Sequence, residues 1–75
     1  MEEKLKRIMS NVFQISPDEI DENISTETLE NWDSLQHLNL ILAIEQGFNV
    51  SLATEDVVKM TSLKAIEEVL GRYVM

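Results

Sequence analysis

The sequence has no cysteine and only one histidine, and these absences exclude several classes of protein. Without cysteine the chain has no disulfide framework, no cysteine-based zinc site and no cysteine nucleophile. A single histidine, His37, does not supply a multi-histidine metal site, so no metal site is predicted. A function that depends on a thiol would therefore require a thiol from outside the chain.

Basic residues are also scarce, since six lysines and arginines face fourteen aspartates and glutamates, for a formal charge of −8. This balance disfavours nucleic acid, whose binding depends on basic side chains that neutralise phosphates. It favours solubility and attraction to basic partner surfaces. The chain opens with the charged stretch Glu2-Glu3-Lys4 and has no apolar run as long as a signal peptide core or a membrane span. We therefore predict a cytoplasmic, monomeric protein without a membrane span.

The hydrophobic residues follow the spacing of amphipathic helices within one small domain, residues 1–75. A first helix is predicted before Ser16-Pro17, where proline lacks the N–H that a helix interior needs. A second helix begins at Asp33-Ser34, either of which suits an N-cap, and extends to Gly47. The apolar face of the first helix comprises Leu5, Ile8, Met9, Val12 and Phe13.

Two further helices are predicted in the last third of the chain. Thr54 suits the N-cap of a short helix, and Val57, Val58 and Met60 are expected to face inward from it. A last helix begins at Thr61-Ser62 and has apolar residues along one side. The prediction is an all-α fold, a small four-helix bundle of three longer helices and one short helix.

A long acidic loop, about residues 15–32, separates the first two helices and has no hydrophobic periodicity. Loops of this length are uncommon in so small a domain unless they are functional or held by their own side chains. It lacks the ligand spacing of an EF-hand. Single apolar residues are expected to attach it to the core, namely Ile20, Ile24, Leu29 and Trp32.

The second helix is unusually apolar. Its leucines and isoleucines span an arc of roughly 220°, about twice the core-facing stripe of an ordinary surface helix. Burial among three neighbouring helices explains such an arc, and so does a face that contacts a partner or a hydrophobic cargo. Both explanations can hold together. His37, on the same helix, is expected to contact solvent or a partner.

The stretch Trp32-Asp33-Ser34-Leu35, followed by Leu38, Leu42, Glu45 and Phe48, resembles the acyl carrier protein family. An Asp-Ser-Leu tripeptide alone is weak, but length, acidity and helix order agree with it, and the resemblance covers nearly the whole chain. A long first loop is also a feature of that family. The resemblance implies a free-standing carrier of the bacterial type that is not itself an enzyme.

The resemblance also implies roles for particular residues. Ser34 would receive 4'-phosphopantetheine from coenzyme A through a magnesium-dependent phosphopantetheinyl transferase, and Asp33 and Leu35 would belong to the recognition motif. An acyl-loading ligase or transferase would then place cargo on the arm as a thioester. Further along the helix, the family has positions that dock partners or line the cargo cavity, and the residues here that match them are Leu38, Ile41 and Leu42.

The chemistry of Ser34 agrees with this role. The positive end of a helix dipole favours an attached phosphate. No histidine or lysine within sequence reach suits a general base for the hydroxyl, so the transferase would supply the base and the metal ion. The borrowed arm would supply the thiol that the chain lacks.

Three functions stay open at this point. Fatty-acid synthesis carriers usually have several carboxylates on the second helix, where this sequence has Gln36, Asn39 and Gln46, with Glu45 as the acidic residue. This departure favours a specialised pathway, such as polyketide synthesis, lipid modification or aminoacyl transfer, over housekeeping fatty-acid synthesis. A different class, a small acidic adaptor that docks through its second helix, would leave Ser34 as a plain helix cap.

Overall fold

A computed structural model describes residues 2–74, so Met1 and Met75, the ends of the predicted domain, lie outside the described residues. Within residues 2–74 the chain forms four α-helices and one 3₁₀ helix, with no strand. The predicted small helical bundle, with three longer helices and one short helix, is confirmed. The helices are α1 (Glu2–Phe13), α2 (Ser34–Phe48), α3 (Thr54–Val57) and α4 (Leu63–Tyr73), and the 3₁₀ helix is Pro17–Glu19.

Helix α1 ends earlier than the proline predicts. Gln14 adopts the left-handed conformation, with φ 55°, and the N–H of Ile15 donates to the carbonyl of Ser10 at 3.2 Å. This arrangement satisfies a carbonyl that the end of a helix leaves without a partner. Pro17 instead begins the 3₁₀ helix, and Ser16 caps it by accepting a hydrogen bond from the N–H of Asp18.

The long loop between α1 and α2 is attached to the core at several points, as predicted. Ile20, Ile24 and Trp32 are buried, and Leu29 packs against the core. Two backbone hydrogen bonds also join the loop to the start of α4. The N–H of Thr26 donates to the carbonyl of Thr61 at 3.0 Å, and the N–H of Leu63 donates to the carbonyl of Ile24 at 3.1 Å. Backbone pairing and buried side chains together explain how so long a connection stays ordered.

The predicted end of α2 at Gly47 is wrong. The helix continues to Phe48, and Asn49 takes the left-handed position with φ 55°. Gly47 serves the packing of α1 on α2 instead, since a Cβ there would lie 2.7 Å from Cδ1 of Ile8. A side chain at position 47 would therefore require the end of the Ile8 side chain to move, whereas the backbone of Gly47, which has no positive φ, makes no demand for glycine.

Helix α3 differs from the prediction in two details. The N-cap position belongs to Ala53, which offers no side-chain bond, and Thr54 is the first helical residue. Of the three residues expected to face inward, Met60 is buried and Val57 is partly buried, but Val58 is 65% exposed. The four-residue helix is too short to turn all three toward one side.

A polar cluster holds α3 against the end of α4. The Tyr73 hydroxyl donates to Asp56 and accepts a hydrogen bond from the N–H of Ala53 at 3.2 Å. Arg72 lies 3.5 Å from the same aspartate. These contacts fix the position of a helix that is too short to be stable alone.

The core is formed by α1, α2, α4, the loop and Met60, which follows α3, and no polar side chain is buried in it within residues 2–74. Met9 and Met60 are fully buried, which confirms their predicted place in the core. The buried residues are Leu5, Met9, Phe13, Ile20, Ile24, Trp32, Leu40, Ile41, Ile44, Met60, Leu63, Ile66, Val69 and Leu70.

Glu67 on α4 carries an electrostatic cost. Partial burial raises the pKa of the Glu67 carboxyl above its ordinary value, and the neighbouring Glu2 and Glu22 add to the rise while Lys6 opposes it. The folded state thus holds this proton more tightly than the unfolded chain does. The resulting stabilisation is present at low pH and is lost as the pH rises through the raised pKa.

We therefore expect Glu67→Gln to raise the midpoint of thermal unfolding at pH 7 by about 1 to 3 °C. The gain should shrink as the pH falls toward 4, where the wild-type carboxyl is protonated. Thermal melts between about pH 4 and pH 8, with the exposed neighbour Glu68→Gln as control, measure this. An equal gain at every pH would show that repulsion among these carboxylates is not its cause.

Candidate functional site

Ser34 is the first residue of α2 and is exposed. Of the two N-cap candidates, Asp33 takes that role, because its Oδ1 accepts a hydrogen bond from the N–H of Gln36 at 2.9 Å. Within residues 2–74 no hydrogen bond of the Ser34 hydroxyl to another side chain or to the backbone is seen. The serine therefore lies at the positive end of the helix without being needed to cap it.

The other serines are mostly committed to local structure. The Ser10 hydroxyl donates to the carbonyl of Ile15, and Ser16, Ser25 and Ser62 accept hydrogen bonds from nearby backbone N–H groups. Ser51 is exposed, but it lies in the extended connection after α2 and not at the start of a helix. Among the serines that the structure describes, Ser34 alone is exposed at the start of an α-helix, since the exposed Ser16 caps the short 3₁₀ helix and uses its hydroxyl to do so.

A largely apolar groove of about 670 Å³ begins at Ser34 and lies between α2 and α3. We call it the Ser34 groove. Two smaller depressions, of about 300 and 410 Å³, lie along the acidic loop and do not include Ser34. The Ser34 groove is lined by Thr26, Trp32, Asp33, Ser34, His37, Leu38, Thr54, Val57, Val58 and Thr61.

The apolar arc of α2 divides into two faces. Leu40, Ile41 and Ile44 are buried in the core. Leu35, Leu38 and Leu42 are 68%, 58% and 57% exposed. Both explanations of the arc therefore hold for part of it. We call the exposed face the leucine strip (Leu35, Leu38 and Leu42).

The structure separates the three residues matched to docking or cargo positions. Leu38 and Leu42 lie on the leucine strip, and Leu38 also lines the Ser34 groove. Ile41 is 6% exposed and belongs to the core. The residues of the Asp33-Ser34-Leu35 motif are all exposed at the start of α2.

The leucine strip has few carboxylates beside it on α2. Glu45 is the acidic residue of this helix, and its Oε2 accepts a hydrogen bond from the N–H of Leu52 at 2.8 Å. Gln36 is also engaged, since its Nε2 donates to the carbonyl of Val12 at 3.1 Å. The exposed face of α2 that follows Ser34 is thus largely apolar, with Glu45 as its one carboxylate.

The sequence led us to expect that His37 contacts solvent or a partner, but in the structure both of its ring nitrogens have partners within the chain. The indole Nε1–H of Trp32 donates to its Nδ1 at 3.0 Å, and its Nε2 lies 2.9 Å from the carbonyl oxygen of Val57. The imidazole therefore joins the loop, α2 and α3. Sequence reasoning missed this because the Val57 carbonyl belongs to the backbone of another helix and leaves no side-chain signal.

These features fit a covalently attached phosphate ester. Ser34 is exposed, its hydroxyl is free of a structural role, and the helix N-terminus favours negative charge. The adjoining apolar groove gives an attached group a surface to contact. The residues present therefore suit a phosphopantetheine arm.

The comparison with known families agrees with this geometry. Residues 3–70 match the family described as "Phosphopantetheine attachment site", which covers most of the chain. The protein is therefore of the class that carries a phosphopantetheine arm.

Similar proteins define the class more closely. The chain is 32% identical over 75 residues to the acyl carrier protein of Buchnera aphidicola subsp. Baizongia pistaciae, covering 99% of this chain and 95% of the relative. It is 33% identical over 64 residues to that of Buchnera aphidicola subsp. Schizaphis graminum, covering 85% and 81%. It is 32% identical over 68 residues to that of Thermosynechococcus vestitus, covering 91% and 80%. The chain belongs to the acyl carrier protein family.

Membership in this family has direct consequences. The cofactor is 4'-phosphopantetheine, which the family holds covalently, and the family consists of carriers and not of catalysts. Carriers of this kind act together with transferases and pathway enzymes. In the part of the chain that the structure describes, no helix has both the length and the apolar character needed to cross a bilayer.

Proposed function

We propose that the chain is a single carrier domain, 1–75, whose phosphopantetheine arm is attached to Ser34. The observation that carries this proposal is the exposed hydroxyl of Ser34 at the start of α2, beside an apolar groove and free of a structural hydrogen bond. Asp33 and Leu35 flank it as exposed parts of the recognition motif.

In the attachment step the Ser34 Oγ forms a bond to the phosphorus that carries pantetheine in coenzyme A. The pyrophosphate bond breaks, and adenosine 3',5'-bisphosphate leaves. The transferase removes the serine proton, because within residues 2–74 the nitrogens of His37, the nearest histidine, are engaged with Trp32 and Val57. An acyl-loading ligase or transferase then forms a thioester on the terminal thiol of the arm.

Peptide mapping tests the position of the arm. Cleavage after Glu30 and Glu45 releases the fragment 31–45, in which Ser34 is the sole hydroxyl-bearing residue. After reaction with a promiscuous phosphopantetheinyl transferase, magnesium and coenzyme A, we expect the added mass on this fragment. An arm on the fragment that contains Ser51 would contradict the proposal.

We further propose that the carrier serves a specialised cytoplasmic pathway, such as polyketide synthesis, lipid modification or aminoacyl transfer. The leucine strip supports this proposal, because enzymes that read a carrier through basic patches would meet a single carboxylate along α2, that of Glu45, which already accepts a hydrogen bond from Leu52. A partner suited to this face would bind it mainly through apolar contacts, and its binding would depend weakly on salt.

The docking role of the leucine strip leads to a further prediction. Leu42→Asp should raise the KM of the transferase or loading enzyme about tenfold or more, since it places a charge in an apolar contact. Its kcat and the thermal midpoint should change little, because Leu42 is 57% exposed and lies two turns from Ser34.

Asn39→Asp is the matched control, since it adds the same charge at an exposed α2 position outside the leucine strip. Steady-state kinetics with both variants separate a local contact from general repulsion. An equal rise in KM for both would contradict an apolar docking face and point to overall charge.

A further inference from the structure

His37 links the two walls of the Ser34 groove. It lies on α2, one turn after Ser34, and its Nε2 is 2.9 Å from the carbonyl oxygen of Val57 on α3. Trp32, which also lines the groove, donates its indole N–H to the other ring nitrogen at 3.0 Å. A chain of two hydrogen bonds therefore runs from the loop through α2 to α3.

The partners fix the state of the imidazole. An indole N–H only donates and a carbonyl oxygen only accepts, so Nδ1 must be the acceptor and Nε2 must carry the proton. His37 is therefore neutral in this arrangement, and each ring nitrogen has one partner.

Packing on the far side of Trp32 holds these two hydrogen bonds in place. The Trp32 ring is 4% exposed and contacts Phe13 with ring centroids 5.2 Å apart. The imidazole lies nearly parallel to the indole, at 6.2 Å and 28°. Leu40, Ile44 and Met60, which belong to the same core cluster as Trp32, have no exposed surface. Opening a path inward would therefore disturb packing as well as hydrogen bonds.

We propose that His37 is a specificity-determining residue that closes the groove toward the core, so that the carrier favours short acyl groups over long aliphatic ones. A long chain gains most when it leaves water entirely. Here, entry between α2 and α3 would separate His37 from the carbonyl of Val57 and leave the ring N–H of His37 without its acceptor.

A short acyl group does not meet this cost. It can rest in the outer groove, where Leu38, Val57 and Val58 give apolar contact and the rim includes the hydroxyls of Thr54 and Thr61. We infer cargo that contacts the surface of the carrier and leaves its core unchanged. This inference rests on the proposed attachment of the arm at Ser34.

The test uses the full chain loaded with acetyl, hexanoyl or octanoyl phosphopantetheine from the corresponding acyl coenzyme A by a promiscuous transferase. Intact mass is read first. If the protein gains no mass, the proposed attachment of the arm is contradicted. The inference about His37 is tested only with protein that has been loaded. For the wild type, we expect thermal midpoints of the three forms to agree within about 2 °C.

The variant His37→Ala removes both hydrogen bonds and leaves space between α2 and α3. Its octanoyl form should melt at least about 5 °C above its acetyl form. Asn39→Ala, an exposed α2 residue outside the groove, should behave like the wild type. A wild type that is stabilised progressively by longer chains would overturn the inference, as would a His37→Ala variant without dependence on chain length.

A second measurement, on the wild type, shows whether the acyl chain enters the core even if His37→Ala does not fold. Nuclear Overhauser effects in the octanoyl form report which side chains lie near the end of the acyl chain. Contacts to Leu38 and Val58, with none to Leu40 or Ile44, are the expected result. Strong contacts to Leu40 or Ile44 would show that the chain enters the core and would overturn the inference.

Discussion

Ser34→Ala is expected to abolish loading completely while the protein remains folded. The reaction needs a serine oxygen that bonds to phosphorus, and alanine has none. Asp33 caps α2 through its own carboxylate, so the helix keeps its N-terminal hydrogen bond without Ser34. Alanine is also a good helix former, and the stability should change by less than about 0.5 kcal/mol.

Intact mass and a thermal melt, measured side by side, check both halves of this prediction. Ser51→Ala is the matched control, because it removes another exposed hydroxyl outside a helix start and should load like the wild type. Residual loading of Ser34→Ala would place the arm elsewhere. A large fall in its thermal midpoint would show that the hydroxyl has a structural role.

Trp32→Ala is expected to have the largest effect on stability. The indole is 4% exposed, packs on Phe13 and donates to His37, so its removal creates a cavity and breaks a hydrogen bond. Such losses cost about 3 to 5 kcal/mol. A domain of this size has a total stability of roughly 4 to 11 kcal/mol. The thermal midpoint should therefore fall by about 12 °C or more.

Trp32→Phe separates the two contributions. It keeps an aromatic ring beside Phe13 but loses the N–H donor, so the expected cost is smaller, about 1 to 2 kcal/mol. Leu35→Ala, at a position 68% exposed, should stay within about 0.5 kcal/mol of the wild type. Denaturant titrations of the three variants measure these costs. A Trp32→Ala variant as stable as Leu35→Ala would contradict the assignment of Trp32 to the core.

The helices were predictable because their signals are local. The spacing of Leu5, Met9 and Phe13 defines the inner face of α1, and Ser62 caps α4 by accepting from the N–H of Ala65 at 3.1 Å. The ends of helices were less predictable. Glycine is a residue type typical of helix ends, but Gly47 lies within α2 and faces the side chain of Ile8 on α1. The local sequence does not reveal this contact with another helix.

In the candidate site, too, some features could be predicted from the sequence and others required the structure. The Asp33-Ser34-Leu35 motif is contiguous and was found directly, whereas sequence alone left both Asp33 and Ser34 as N-cap candidates. The division of the α2 arc into a buried face and the leucine strip required the positions of the other helices. The bond from His37 to the carbonyl of Val57 had no signal, since any residue at position 57 has a carbonyl oxygen.

The most direct test of the carrier assignment is the intact mass of the wild-type chain after incubation with a promiscuous phosphopantetheinyl transferase, magnesium and coenzyme A. We expect the whole population to gain the mass of one arm, and only one, because among the described serines Ser34 alone is exposed at the start of an α-helix. An unchanged mass, with a known carrier loaded in the same reaction, would contradict the account.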